Sequence, residues 1–91
     1  MRLRWTRLAL LHLGHAHDYI AREAPGSAAA VVERVEMAVM NLARHPYMGR
    51  EGRVEGTREL LIPGTPFIAS YRVEADGVEI LALVHGARRW P

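Results

Sequence analysis

Few side chains in this 91-residue sequence can do chemistry, and most of those are arginines. Acid–base chemistry at a phosphodiester needs a base, an acid and cations on the phosphate. His85 is the candidate base, with Arg58, Arg72 and Arg88 as candidate phosphate ligands. A lone histidine among arginines specifies catalysis weakly, because charged strand faces are usually just solvated and paired with their neighbours. Trp90 does not complete the set, since indole is no useful proton donor. The same residue types also serve binding. Arg88, Arg89 and Trp90 form a compact group able to engage carboxylates, phosphates or an aromatic face. His12, His15 and His17 lie close in sequence, but on a helix His17 points away from His15 and no carboxylate completes the set, so no metal is expected. No cofactor is expected either. The run GREGRVEG (residues 49–56) is rich in glycine, yet it precedes a strand rather than linking a strand to a helix, the context a phosphate cradle needs.

The elements that must hold these residues follow from periodicity. Residues 54–91 contain three strand-like runs, 57–62, 67–74 and 78–85, cut by Pro63-Gly64-Thr65-Pro66 and Ala75-Asp76-Gly77. Connections this short allow only hairpins, so an antiparallel meander is predicted, with positive φ expected at Gly77. Alternation places Phe67, Ala69, Tyr71 and Val73 on one face. It groups Val78, Ile80, Ala82 and Val84 likewise, leaving Leu81 and Leu83 on the opposite face. A strand apolar on both sides reads as central, one cover coming from this chain and the other open to a partner.

Upstream, residues 2–5 are a short strand candidate and Thr6 a helix cap. Ala9, Leu13, Ala16, Ile20 and Ala24 make one helical stripe; Ala28, Val32, Val35, Val39 and Leu42 make a second beyond Pro25-Gly26-Ser27. Two amphipathic helices joined so briefly form an antiparallel hairpin, and the meander offers its stripes a surface. The fold class is therefore α+β: a short N-terminal strand and a two-helix hairpin packed on a small, mostly antiparallel sheet. Leu8, Leu11 and Tyr19 widen the apolar surface of the first helix beyond one packing face. Residues 46–56 read as a solvated basic loop.

Length allows one domain spanning residues 1–91, with a modest core. All twelve basic residues are arginine, and the net charge of +2 does not by itself indicate nucleic-acid binding. Absence of cysteine suits a reducing cytoplasm. The basic, leucine-rich start is interrupted by His12 and reads as an amphipathic helix rather than a secretory signal, and no stretch is long enough to span a membrane.

The order of these motifs resembles the RelE/ParE superfamily of bacterial type II toxin–antitoxin toxins, in particular its ParE-like branch. The matching residues are Trp5-Thr6, Tyr19-Ile20-Ala21, Pro46 with Gly49-Arg50, Gly56-Thr57-Arg58-Glu59-Leu60, Tyr71-Arg72-Val73, and His85-Gly86-Ala87-Arg88-Arg89-Trp90-Pro91. The resemblance implies that the first strand lies beside the last. It also implies a ParD-like or similar cognate antitoxin that wraps and neutralises the toxin in a hetero-oligomer. For ParE-like members it implies poisoning of DNA gyrase, leading to growth arrest; for RelE-like members, cleavage of mRNA on the ribosome. A non-toxic, antitoxin-binding regulatory member is a further alternative. RelE-like nucleases resemble one another in carrying lysines and arginines on the sheet, and this sequence has no lysine. The expected target contacts are Arg88, Arg89 and Trp90. The expected antitoxin contacts are Leu8, Leu11, Tyr19, Arg58, Arg72, Leu81 and Leu83. No catalytic residue is expected on the gyrase reading; His85 with Arg58, Arg72 and Arg88 would serve on the nuclease reading.

Overall fold

The computed structural model describes residues 1–86. Strand β1 (Arg2–Trp5) leads directly into helix α1 (Arg7–Glu23). The start of α1 is fixed by Thr6, whose side-chain oxygen accepts the Ala9 N–H at 3.0 Å, satisfying one of the donors a helix end leaves free. Pro25 then opens a single 3-10 turn (Pro25–Ser27), where its missing N–H costs nothing. Helix α2 (Ala28–Met40) follows and tightens into a second such turn over Asn41–Ala43. Both stripes face inward: Ala9 and Ala16 from α1, and Ala28, Val35, Val39 and Leu42, are buried.

Beyond the helices lie β2 (Arg50–Glu51), β3 (Arg58–Leu61), β4 (Phe67–Glu74) and β5 (Gly77–His85). The five strands form one sheet in the order β1-β5-β4-β3-β2. Only the β1–β5 pair is parallel, Arg2 to Trp5 lying opposite Gly77 to Ile80. Strand β2 corrects the reading of residues 46–56 as plain loop: Arg50 and Glu51 pair with Glu59 and Arg58. Two residues carry no detectable alternation, which is why the pattern missed them.

The helices cover one face of the sheet. Tyr71, Ile80, Val78, Ile62, Val35, Val39 and Leu42 are its largest fully buried side chains. The central position expected for the last strand holds, since β5 lies between β1 and β4. Gly77 is used differently from the expectation. Positive φ occurs at Gly56 (81°) and Gly64 (75°), the latter after Pro63, with Thr65 N–H donating to the Ile62 carbonyl at 3.2 Å. Gly77 sits inside β5, where an added Cβ would run into the Arg2 carbonyl oxygen of β1. Close approach of the parallel strand, rather than turn geometry, demands glycine there.

A β-bulge in β5 overturns part of the face assignment. Ser70 lies opposite Ala82 but Tyr71 lies opposite Ile80, so Leu81 is the extra residue. One inserted residue reverses the side-chain phase of everything after it. Val78 and Ile80 face the helices before the bulge; Leu83 and His85 face them after it, while Ala82 and Val84 turn to the other face. Leu83 is 5% exposed and belongs to the core. It is therefore no antitoxin contact of the exposed kind the strict alternation predicted.

Candidate functional site

The described surface of most interest lies where α1 runs along β5. Strand β1 stops opposite Ile80, so beyond that point β5 has no strand neighbour on this side. The first residues of α1 serve its backbone instead. Thr6 N–H donates to the Ile80 carbonyl at 3.0 Å, and the Thr6 hydroxyl donates to that of Leu81 at 3.2 Å. Nearly two turns further on, His12 Nδ1 accepts the Leu83 N–H at 3.2 Å. Leu8, His12, His15 and Tyr19 share this flank by helical spacing. Tyr19 meets the ring of His85 edge-on, with centroids 5.9 Å apart. Leu8, Leu11 and Tyr19 are each about half exposed, at 52%, 53% and 48%. Leu81 at the bulge is half-buried. Four of the proposed antitoxin contacts thus lie on or beside one helix–strand border.

The His12 bond requires a lone pair on Nδ1, hence a neutral ring with its proton on Nε2. Burial, together with the positive charge His15 would carry, lowers the His12 pKa below the ordinary imidazole value. The unfolded chain therefore takes up this proton first as pH falls. Stability contributed by the neutral ring is present above about pH 6.5 and is lost as pH falls through the depressed folded-state value. The thermal midpoint is expected to drop between about pH 7 and pH 5, with a steeper slope in the wild type than in His12→Gln. Equal slopes would show that His12 does not titrate against folding.

Among the described residues, the nuclease candidates His85, Arg58 and Arg72 are spread apart. Arg58 is opposite Tyr71 and His85 is opposite Phe67, four residues apart along β4, which is about 13 Å at the rise of a strand. Arg72 is on the outer face, opposite Glu79, whose carboxylate it approaches at 4.0 Å. His85 faces the helices, wedged between Tyr19 and Phe67. Arg88, like Arg89 and Trp90, lies outside the described residues. Arg72 thus pairs with a strand neighbour, as charged strand faces usually do, whereas Arg58 bonds to backbone carbonyls.

Arg58 is occupied by the chain segment before β2. Its Nε donates to the Gly49 carbonyl at 3.1 Å, its Nη2 to that of Tyr47 at 3.4 Å, and its guanidinium lies 5.3 Å from the Tyr47 ring centroid. Tyr71, fully buried, completes this clamp. Its hydroxyl donates to the Pro46 carbonyl at 2.7 Å and accepts the Gly49 N–H at 2.9 Å. A Cβ on Gly49 would come within 2.6 Å of both that hydroxyl and the Glu59 carbonyl. Glu59, also buried, accepts from Arg50 Nε and Nη2 at 3.3 and 3.1 Å and from the Arg53 N–H at 3.4 Å. The pairing of Glu59 with Arg50 is not visible in the sequence, because Arg50 falls in the stretch that reads as loop and Glu59 lies nine positions further on, in the next strand. For Tyr71 there was a usable signal: a phenol on the inward face of a central strand must find a polar partner.

On the outer face Arg4 donates to Glu79 at 2.6 Å and lies 3.8 Å from Glu74, contacts that raise the Arg4 pKa. Among the described residues no three histidine, aspartate or glutamate side chains are gathered as metal ligands.

A helical pair on one face of this strand order is the architecture that the sequence motifs implied. The chain matches the family model described as the ParE toxin of the type II toxin–antitoxin system parDE over residues 3–90. It belongs to that family, as a type II toxin–antitoxin toxin. A curated relative from Sinorhizobium fredii (strain NBRC 101917 / NGR234), named "Putative toxin Y4kP", is 44% identical over 90 residues, covering 99% of this chain and 93% of the relative. Among solved structures, a chain of the chromosomal ParDE toxin–antitoxin system of P. aeruginosa superposes with a TM-score of 0.86 at 30% identity, over 93% of this chain and 95% of that one. A chain of the RelBE2 toxin–antitoxin complex of Mycobacterium tuberculosis superposes with a TM-score of 0.63 at 31% identity, over 94% and 91%.

Proposed function

We propose that the chain arrests growth by binding and poisoning DNA gyrase in the cytoplasm, and that a ParD-like antitoxin neutralises it in a hetero-oligomer. The observation carrying the gyrase reading over RNA cleavage is the dispersal of His85, Arg58 and Arg72 to different ends and faces of the sheet. A site that moves a proton needs base and phosphate ligands within hydrogen-bond reach of one substrate. Binding makes no such demand, and Arg88, Arg89 and Trp90 supply a suitable contact group. The antitoxin covers the α1–β5 border, burying Leu8, Leu11, Tyr19 and Leu81. On this reading acidic residues of the antitoxin meet Arg72 on the outer face and, at a separate point, Arg58, which is already bonded to the Tyr47–Gly49 loop.

The likeness to the RelBE2 complex supports a RelE-type toxin as the second reading; for such members the sequence resemblance implies mRNA cleavage on the ribosome. Expression without antitoxin, followed by plasmid topology, a purified gyrase supercoiling assay and mapping of mRNA ends, separates the two. Inhibited supercoiling with intact mRNA is the expected result. Cut mRNA with normal supercoiling overturns the proposal, and growth without arrest indicates a regulatory member.

A further inference from the structure

The segment before β2 is fastened more tightly than a connection needs. Four hydrogen bonds tie residues 46–49 to β3 and β4: Arg58 donates to the carbonyls of Tyr47 and Gly49, and the Tyr71 hydroxyl joins the Pro46 carbonyl to the Gly49 N–H. The Met48 N–H donates to the His45 carbonyl at 3.1 Å and the His45 N–H to that of Asn41 at 2.9 Å, which anchors the same residues to the end of the helical pair. Connecting segments run over the surface and are ordinarily mobile. This one is fixed, and what it shows to solvent is apolar: Tyr47 is 66% exposed and Met48 49%. The Arg58 guanidinium lies over the Tyr47 ring, 5.3 Å from its centroid, so a cation–π contact holds the ring as well as the backbone. Arg44, which closes the 3-10 turn just before this segment, is exposed too.

We propose that Tyr47, with Met48 and the Arg58 guanidinium, is a second anchor for the antitoxin and takes a polypeptide segment in which a carboxylate adjoins an apolar side chain. This rests on the reading that an antitoxin covers the α1–β5 border, and it adds a contact two strands away across the sheet. The ring and the thioether supply the apolar area. A guanidinium carries five N–H donors in a fixed fork. The loop carbonyls take one from Nε and one from Nη2, so the carboxylate is met on the Nη1 side. Tyrosine, methionine and arginine are enriched at protein–protein interfaces, and a ring already held in place loses little freedom on binding. A nucleic acid fits less well. Its backbone calls for a row of cations, whereas Arg50 is paired with the buried Glu59, and Glu51 lies opposite Arg58. Such mixed charge suits a single carboxylate.

Purified Tyr47→Ala, Tyr47→Phe, Met48→Glu and Leu11→Asp chains, each produced with antitoxin and then freed of it, are titrated with the cognate antitoxin by calorimetry. A single-stranded oligothymidylate is titrated beside it as the competing class of ligand, and thermal melts report folding separately. All four bonds to residues 46–49 use backbone atoms of that segment, so Tyr47→Ala is expected to melt near the wild-type temperature. Its antitoxin affinity is expected to fall roughly tenfold, as loss of an aromatic interface anchor does. Tyr47→Phe, which keeps a ring beneath the guanidinium, should stay within about twofold. Met48→Glu tests the same surface without touching the ring and should also weaken binding roughly tenfold, by setting a carboxylate against that of the partner. Folded Tyr47→Ala and Met48→Glu chains of wild-type antitoxin affinity overturn the proposal, as does an oligothymidylate affinity that Tyr47→Ala lowers more than it lowers antitoxin affinity. If Leu11→Asp weakens antitoxin binding and the Tyr47 and Met48 variants do not, the second anchor alone fails. If they weaken it and Leu11→Asp does not, the reading of the α1–β5 border fails and the anchor stands. A wild-type chain that binds no antitoxin refutes both.

Discussion

A chain ending at Ala87 is expected to fold and bind antitoxin but to arrest nothing. The last ladder pair of β5 is Phe67 with His85, and the Gly86 N–H makes the final backbone tie. Every described contact that holds the strand therefore lies before the cut. What is removed is Arg88, Arg89, Trp90 and Pro91, two guanidinium forks and an indole in consecutive positions. Arginine and tryptophan are enriched among the interface residues whose truncation costs about 2 kcal/mol or more each. Even with strong non-additivity, losing the group should weaken target binding by well over roughly thirtyfold. The measurement is growth and plasmid supercoiling on expression without antitoxin, beside a pull-down of antitoxin by the shortened chain. Killing by the shortened chain would refute the assignment of these residues. Failure to bind antitoxin would instead show that they belong to the neutralised interface.

Leu83→Asp and Leu11→Asp should have opposite consequences, although strand alternation placed Leu83, and helical spacing Leu11, on open surface. Leu83 is 5% exposed and packed in the core, whereas Leu11 is 53% exposed. Truncating a buried leucine alone costs about 2–5 kcal/mol. A carboxylate there adds the desolvation of an unpaired charge. Against a total stability of about 5–15 kcal/mol, and at the lower end for so small a domain, Leu83→Asp is expected to unfold the chain. Leu11→Asp should leave the melting transition nearly unchanged and reduce antitoxin affinity by at least about tenfold, as loss of a buried apolar contact does. A cooperative melt of Leu83→Asp near the wild-type temperature would show that the bulge does not fix the phase of β5. Unchanged antitoxin affinity in Leu11→Asp would remove this flank of α1 from the interface.

That pair of leucines marks the boundary of what the sequence made legible. Periods of 3.6 and 2 are properties of single elements, and they located both helices and the three long strands. The stripe Ala9, Leu13, Ala16, Ile20 and the series Phe67, Ala69, Tyr71 both point as expected. A bulge is a property of two strands in register, so nothing within residues 77–85 announces that Leu81 is passed over. Gly77 was recognised as necessary for the wrong reason, because the backbone that crowds it comes from Arg2, 75 residues away. The candidate site shows the same divide. Helical spacing brought out Leu8, Leu11 and Tyr19 as surplus surface. The bond from Leu83 to His12 and the clamp of Arg58 and Tyr71 on residues 46–49 depend on partners far away in sequence.

The parallel pairing of β1 with β5 also dictates when the molecule can exist during its synthesis. The strand that receives β1 on one side and β4 on the other, and against which α1 packs, is the last one to be translated. Until residues 77–85 have emerged, the apolar stripe of α1 has no central strand to cover and Arg2–Trp5 has no partner. Long-range closure of this kind is slow, because the entropy of joining distant segments is lost before the contacts that reward it can form. Until β5 has emerged, the nascent chain is therefore an exposed, incomplete helical pair. If the antitoxin binds at α1 as proposed, that interval lets it engage the helix before the chain has finished folding.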